Sequence, residues 1–245
     1  MPKHGSLLTL NPALDVSALA KSFASDQRLQ IRDILIDEAA IALHQILLSE
    51  TPWALAWKAK GQPPSLTRTD PRDHPTHGAE QIEKLLADSM GEGGDAFAYM
   101  MYPLVTAYLE EWSPGGALAK LLEDLNSSPL LDFVRKVTGI SGLVKADGQA
   151  TLYRPGQFLA LHNDYDPSLS RRVAYVLNLC AMDWRPDWGG YLNFFDESGD
   201  IVAGFRPRFN ALNLFAVPQR HNVSYVPPYA PAERFAVTGW FFDKI

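Results

Sequence analysis

Cysteine is almost absent from this chain, and so are long apolar runs. Its single cysteine, Cys180, excludes an internal disulfide and a thiolate zinc cluster. The longest apolar stretches, such as 39–43 and 100–105, fall far short of the ~20 residues that a transmembrane helix needs. The first residues also lack the apolar core of a secretory signal peptide. We therefore expect a cytoplasmic protein that does not bind membranes.

Positive charge is in deficit as well. Lys and Arg number 22 against 28 Asp and Glu, for a formal net charge of -6. This balance disfavours a nucleic-acid binder, because such proteins hold phosphates with clustered cations. The hydrophobic share of 47% and the charged share of 20% are ordinary for a globular protein. The length of 245 residues suits a single domain spanning 1–245.

The N-terminal part, 1–141, is predicted to be rich in helices with a few strands. Apolar residues recur at helical spacing after Asn11-Pro12, over 37–48, over 79–90 and after Ser127-Ser128-Pro129. Partial alternation predicts strands at 28–35 and 53–59. Between them and the third helix lies a long polar stretch, 61–78, of the kind that forms mobile or functional loops.

From residue 142 onward the pattern changes to short strands. Asp147-Gly148 is typical of a tight hairpin turn within 144–153. Later strands are predicted at 158–162, 172–179, 190–195, 201–205, 211–216, 221–226 and 235–242. About eight short strands in succession favour a jelly roll over alternating β-α units. We predict an α+β, mainly β fold, with a jelly-roll (double-stranded β-helix) core over 142–245 and the helices packed on one sheet.

Four residues of this core carry the chemical signal: His162, Asp164, His221 and Arg234. Two imidazoles and one carboxylate are the ligands of open non-haem Fe(II) sites. His162 ends one predicted strand and His221 starts another, and residues two apart on a strand point the same way. We therefore expect His162, Asp164 and His221 to occupy neighbouring vertices of an octahedron, leaving three positions open.

Arg234 opens the last predicted strand and supplies a permanent cation. Its planar fork can pair with a carboxylate through two parallel hydrogen bonds. An arginine buried in a barrel mouth would be costly without an anionic partner. The pattern therefore predicts an acidic co-substrate beside the metal.

These residues lie within a set of motifs that resembles the 2-oxoglutarate- and Fe(II)-dependent oxygenases, in particular their prolyl 4-hydroxylase-like branch. The resemblance covers roughly 149–243, and its R-R-V-A-Y-V-L-N-L (171–179) and T-G-W-F-F (238–242) stretches look most like the subgroup that acts on a proline of a ribosomal protein. The motifs are L-Y-R-P-G (152–156), H-N-D (162–164), R-R-V-A-Y-V-L-N-L (171–179), W-x-x-D-W-G-G (184–190), R-H-N-V (220–223) and R-F-A-V-T-G-W-F-F-D (234–243).

The resemblance implies Fe(II) as cofactor, with 2-oxoglutarate and dioxygen as co-substrates. His162, Asp164 and His221 would hold the iron, and Arg234 would bind the distal carboxylate of 2-oxoglutarate. Further co-substrate contacts are implied for Tyr153, Asn178 and Thr238. Asn178 departs from the subgroup, which often has a tyrosine there.

Four aromatic residues are candidate walls of the pocket. The resemblance makes Trp240 an aromatic wall near the metal, and Trp184, Trp188 and Tyr191 are further candidates from their positions.

The leading substrate is a prolyl residue in a protein or peptide. One alternative is hydroxylation of a free amino acid or other small molecule. An alternative of another class is a non-catalytic jelly roll that binds a metal or a sugar. The segments 61–78 and 225–233 are candidate substrate covers.

Three other candidates are better explained without a site. Asp166, beside Pro167, is expected to be a turn residue. His74 and His77 lie on a proline-broken loop that fixes no metal geometry.

Overall fold

The computed structural model describes residues 5–67, 79–91 and 96–243. Within them the helices are α1 (Val16–Asp26), α2 (Asp37–Ser49), α3 (Ala79–Gly91), α4 (Leu104–Leu109), α5 (Ala117–Leu125) and α6 (Ser128–Thr138). The strands are β1 (Arg28–Arg32), β2 (Ala54–Lys58), β3 (Ser65–Thr67), β4 (Phe97–Tyr102), β5 (Lys145–Ala146), β6 (Gln149–Tyr153), β7 (Phe158–His162), β8 (Arg171–Asn178), β9 (Leu192–Phe195), β10 (Ile201–Phe205), β11 (Ala211–Ala216), β12 (His221–Val223) and β13 (Arg234–Phe242). None of these helices has the length and apolarity that crossing a bilayer requires.

The helices follow the sequence pattern, with one shift at the start. α1 begins at Val16 rather than just after Asn11-Pro12, because the Asp15 carboxylate caps it by accepting from the Ala18 N–H. The predicted helices 37–48 and 79–90 are confirmed within one residue. α6 carries Pro129 in its first turn and ends at Gly139, whose φ of 72° suits glycine.

The strands form one curled antiparallel sheet, and the predicted jelly-roll fold is confirmed. Hydrogen-bonded neighbours follow the order β1-β11-β8-β13-β6-β4-β7-β12-β9-β10. β13, the longest strand, pairs with both β8 and β6. Strands from the N-terminal part complete the sheet, because β1 extends it beside β11 and β4 lies between β6 and β7. Strands of the N-terminal part therefore pair directly with strands of the jelly-roll core.

Alternation along β13 separates a packed face from an open one. Phe235, Val237 and Phe241 join the large core that the helices cover. Arg234, Thr238 and Trp240, which share the other parity, line a cavity on the opposite face. The helices therefore cover one face of the sheet, and the opposite face contains the cavity.

The predicted hairpin turn at Asp147-Gly148 is wrong. β5 and β6 do not pair with each other, since both pair with β13 on either side of this dipeptide. Instead, the Asp147 carboxylate accepts from the Trp240 N–H at 2.7 Å, and the Tyr175 hydroxyl donates to the Asp147 carbonyl at 2.9 Å. Gly239 faces this kink, where an added Cβ would lie 2.5 Å from the Asp147 carbonyl oxygen.

Candidate metal centre and co-substrate cavity

The three predicted metal ligands converge at one end of the open face. His162 ends β7 and His221 begins β12, and the two are paired across the ladder. The Nε2 atoms of His162 and His221 lie 3.3 Å and 3.4 Å from the two oxygens of Asp164. One ligand atom from each residue lies within 4.8 Å of the other two. Donors this close suit a single metal ion.

Asp164 reaches this position by a different route from the one predicted. The alternation argument requires a strand through Asp164, but β7 ends at His162. Asp164 has a φ of 62°, in the left-handed region that Asp tolerates better than most residues. A turn, rather than strand alternation, therefore brings the carboxylate to the imidazoles.

Both histidines present the nitrogen that a metal needs. Nδ1 of His162 lies 2.9 Å from the Ala160 carbonyl, and Nδ1 of His221 lies 2.8 Å from the Gln219 carbonyl. A carbonyl only accepts, so each Nδ1 carries the hydrogen and donates it. Each neutral ring then offers the Nε2 lone pair to the centre, as backbone-oriented metal ligands do.

The charges of the triad favour a cation between its members. Burial lowers the pKa of His221 to about 4, and the neighbouring His162 adds to this effect. Burial alone would also lower the pKa of His162, but the hydrogen bond with Asp164 and the carboxylate charge outweigh it and raise that pKa. Burial would raise the pKa of Asp164, yet the two histidines hold it below its usual value. The Asp164 carboxylate therefore stays ionised. The His162 imidazole beside it is stabilised in its positively charged form.

Arg234 lies in the same cavity, which has a volume of about 740 Å³. The side chain is only 1% exposed, and its Nε and Nη1 atoms have no hydrogen-bond partner among the described residues. Burial lowers its pKa. Its guanidinium carbon lies 5.0 Å from the centre of the Tyr153 ring. A desolvated cation with unused donors facing a cavity is suited to an anionic ligand.

The other predicted co-substrate contacts differ in whether they line the cavity. Tyr153 and Thr238 line the cavity, and Tyr153 stacks on Tyr99 with ring centres 5.1 Å apart. Asn178 is buried but is not among the residues that line this cavity. Its amide nitrogen donates to the carbonyls of Val176 at 3.2 Å and Ala211 at 3.3 Å. Contact of Asn178 with a co-substrate therefore stays a prediction.

Of the predicted aromatic walls, Trp240 lines the cavity and the other three do not. Trp184, Trp188 and Tyr191 pack instead around Cys180 in a separate cluster. Residues 186–188 form a 3-10 helix, and Trp184 donates its indole N–H to the Gly189 carbonyl at 2.8 Å.

Of the two predicted substrate covers, the structure describes 225–233 in full but only part of 61–78. Most of 61–78 lies outside the described residues, and so do His74 and His77. In 225–233, Val226 and Ala230 are buried, whereas Tyr225 and Tyr229 are 50% and 70% exposed. Asp166 forms the expected turn, because its carboxylate accepts from the Ser168 N–H and hydroxyl.

Sequence reasoning missed several residues of the cavity wall. Tyr99 comes from β4, and the aromatic composition of 97–102 was the available signal. Gln149 lies within hydrogen-bond distance of Thr238 at 3.4 Å. Arg171 and Arg220 bring two further cations to the wall. Only the folded sheet shows that these residues share a cavity with the triad.

Comparison with known proteins agrees with this geometry. Residues 148–242 match the family model described as the 2OG-Fe(II) oxygenase superfamily. The chain gives no match among curated protein sequences.

Solved structures share the fold at low sequence identity. An oxidoreductase of the 2OG-Fe(II) oxygenase family from Burkholderia pseudomallei is 13% identical with a TM-score of 0.61, over 96% of this chain and 93% of that chain. A prolyl hydroxylase from Trichoplax adhaerens, in complex with a hypoxia-inducible-factor peptide fragment, is 16% identical with a TM-score of 0.58, over 93% and 89%. A Pseudomonas putida prolyl-4-hydroxylase is 20% identical with a TM-score of 0.50, over 94% and 99%.

The family match covers His162, Asp164, His221 and Arg234, and the donor set fits iron. On these grounds residues 148–242 are similar to the 2OG-Fe(II) oxygenase superfamily, and the protein is an Fe(II)- and 2-oxoglutarate-dependent oxygenase.

Proposed function

We propose that this enzyme hydroxylates a C–H bond, most favourably on a prolyl residue of a protein or peptide. The observation that carries the proposal is the combination of a two-histidine, one-carboxylate centre and an unpaired buried guanidinium in one cavity. The three donors converge on one point, and the guanidinium has unpaired nitrogens among the described residues. Together they match what a metal and a dicarboxylic oxo acid require.

In this proposal His162, Asp164 and His221 hold Fe(II), and Arg234 pairs with the distal carboxylate of 2-oxoglutarate. Iron with bound 2-oxoglutarate supplies the oxidising chemistry, in which dioxygen is consumed, the oxo acid is decarboxylated to succinate, and the substrate gains a hydroxyl. The protein supplies orientation and a cavity shielded from bulk water.

Neighbouring residues set the geometry of the co-substrate. Tyr153 and Thr238 are assigned as its additional contacts, since both line the cavity and Tyr153 packs beside Arg234. The carbonyls of Ala160 and Gln219 keep the two imidazoles in the metal-binding tautomer. This arrangement holds the ligands before iron arrives and limits the reorganisation that binding needs.

Support for a prolyl substrate comes from two structural neighbours described as prolyl hydroxylases, one in complex with a peptide. The subgroup resemblance of the 171–179 and 234–243 motifs points the same way. The cavity is open along a side lined by the exposed residues Leu161 and Tyr165, 40% and 65% exposed, which leaves room for a chain to enter. A free amino acid is the second candidate substrate, because Arg171 in the cavity wall is suited to pair with an α-carboxylate.

Anaerobic binding of Fe(II) and 2-oxoglutarate tests the cofactor assignment. We expect a weak visible charge-transfer band in the wild type, no band in Asp164→Ala, and an affinity for 2-oxoglutarate about 10- to 100-fold lower in Arg234→Gln. Arg172→Gln is the matched control, because Arg172 is an exposed arginine that pairs with Asp243 outside the cavity. A band that is equal in all four proteins would overturn the assignment.

The prolyl assignment is tested by product analysis. Peptides that contain proline, and the same peptides with alanine in its place, are incubated with the loaded enzyme, and the products are sequenced by mass spectrometry. Addition of one oxygen to proline alone supports the assignment. Oxygen on another residue of both peptides contradicts it and leaves the oxygenase activity standing.

A further inference from the structure

A second, partly buried arginine lies at the metal end of the cavity. Arg171, the first residue of β8, lines the cavity beside Asp164, and its guanidinium carbon lies 3.8 Å from the centre of the Trp240 ring. Its Nε atom is buried and has no hydrogen-bond partner in the described part of the chain. Stacking on an indole fixes the plane of the guanidinium fork.

The acidic side chains around Arg171 interact with residues other than Arg171. The Asp164 carboxylate faces the two imidazoles, and only its backbone carbonyl accepts from Arg171, at a long 3.4 Å. The Asp147 carboxylate accepts from the Trp240 N–H, and Asp166 is bound to Ser168. No acidic side chain of the described residues lies within 4.0 Å of the Arg171 guanidinium.

The neighbouring arginine shows what a structural role looks like on this strand. Arg172 points to the other face and pairs with Asp243 at 2.6 Å, with 49% of its side chain exposed. Arg171 has no such partner although it is more buried. The cavity therefore contains two cations with unused donors, Arg234 and Arg171, and the co-substrate neutralises only one of them.

We propose that the substrate carries a carboxylate that pairs with Arg171 while its reactive carbon faces the metal. The inference rests on the proposed function, because it assumes that Arg234 is taken by 2-oxoglutarate. A carboxylate is the group that a planar guanidinium binds through two parallel hydrogen bonds. A neutral amide would leave the charge unpaired in a partly desolvated site.

Two sources supply this carboxylate, and they differ in size. One is the side chain of an acidic residue next to the hydroxylated position of a peptide. The other is the α-carboxylate of a free amino acid. Both present the same anion to Arg171, so the residue makes the enzyme selective for acidic substrates in either case.

The test begins with a measurement that does not need the substrate. Arg171→Gln, Arg171→Lys and the control Arg172→Gln are titrated anaerobically with Fe(II) and 2-oxoglutarate. We expect the charge-transfer band in all three at wild-type affinity. Loss of the band in Arg171→Gln alone would overturn the inference, since Arg171 would then act by positioning Asp164. Loss in the wild type would instead remove the proposed function.

Succinate formation with matched substrate pairs gives the second measurement. One pair is free L-proline and L-prolinamide. The other is a proline-containing peptide library with Asp and Glu at flanking positions and the same library with Asn and Gln. We expect wild-type kcat/KM to favour the carboxylate member of at least one pair by about 10- to 100-fold, and the responding pair identifies the source.

The variants then assign this preference to Arg171. The preference should disappear in Arg171→Gln, persist in Arg172→Gln, and be partly retained in Arg171→Lys, which keeps the charge but loses the planar fork. An equal preference in wild type and Arg171→Gln would overturn the inference. So would a wild-type enzyme that turns over only members without a carboxylate, or no member of either pair.

Discussion

The buried charge of Arg234 predicts that this enzyme is less stable empty than it need be. Replacement by methionine, which has similar length and no charge, removes a guanidinium that is 1% exposed and lacks partners at Nε and Nη1. An uncompensated buried ion costs several kcal/mol, whereas the ring of Tyr153 at 5.0 Å returns about 1 kcal/mol. We therefore expect Arg234→Met to raise the unfolding free energy of the empty protein by about 1–3 kcal/mol.

Saturation with ligand should reduce this difference in unfolding free energy. Excess Mn(II) and 2-oxoglutarate at about 100 times the dissociation constant adds about 2.7 kcal/mol to the wild type. The variant has lost the anchor and should gain much less. The stability advantage of the variant over wild type should therefore shrink by up to about 2.7 kcal/mol in the loaded state.

Urea unfolding measures both states. Arg172→Met serves as the control, because its exposed ion pair with Asp243 contributes about 0–1 kcal/mol. An empty Arg234→Met protein that is less stable than wild type by 2 kcal/mol or more would refute the reasoning, since Arg234 would then have a structural partner. Equal stabilisation of both proteins by 2-oxoglutarate would refute the assigned anchor.

Three further predictions concern groups outside the triad. Cys180 is 1% exposed and its thiol pKa is raised to about 12 by burial, so it should resist iodoacetamide at pH 8 in the native protein and react only after unfolding, as mass spectrometry would show. Burial raises the pKa of Asp147 from 3.8 to about 6, so the contribution of this group to stability is greatest below pH 4 and is lost as the pH rises through 6. In urea unfolding, Asp147→Asn should therefore be as stable as wild type near pH 4 and more stable by at most about 3 kcal/mol at pH 8. A gain in stability that is confined to low pH would contradict this prediction. Gly189 has a φ of 58° and an added Cβ would lie 1.9 Å from the Tyr225 carbonyl oxygen, so Gly189→Ala should lower the melting temperature markedly, whereas Gly199→Ala, strained in φ but with open space, should lower it less.

The metal ligands could be predicted from the sequence, although one of the reasons was wrong. His162 ends one strand and His221 begins another, as predicted, and the structure shows that these two strands are paired. Asp164 joins them through a left-handed turn that no alternation rule describes. The identity of the three donors is a local chemical pattern, but the backbone conformation that gathers them depends on where β7 ends.

The Asp147-Gly148 prediction failed for a related reason. The dipeptide favours a hairpin turn locally, and local preference is all that a short motif expresses. β13 pairs with the strands on both sides of it, so that long-range ladder decides its conformation. The same limit applies to Trp184, whose burial against Gly189 follows from a turn that its own motif does not describe.

By itself, the sequence determined the fold class and predicted the three metal ligands and the anchor Arg234. Periodicity, turn residues and ligand chemistry are local properties that a linear chain displays. Tertiary structure alone decided that Arg234 is buried without a partner, that Tyr99 of the N-terminal part lines the cavity, and that Arg171 stacks on Trp240 beside the metal. These are relations between residues far apart in the chain, and desolvation and charge pairing act on such residues only after the sheet has brought them together.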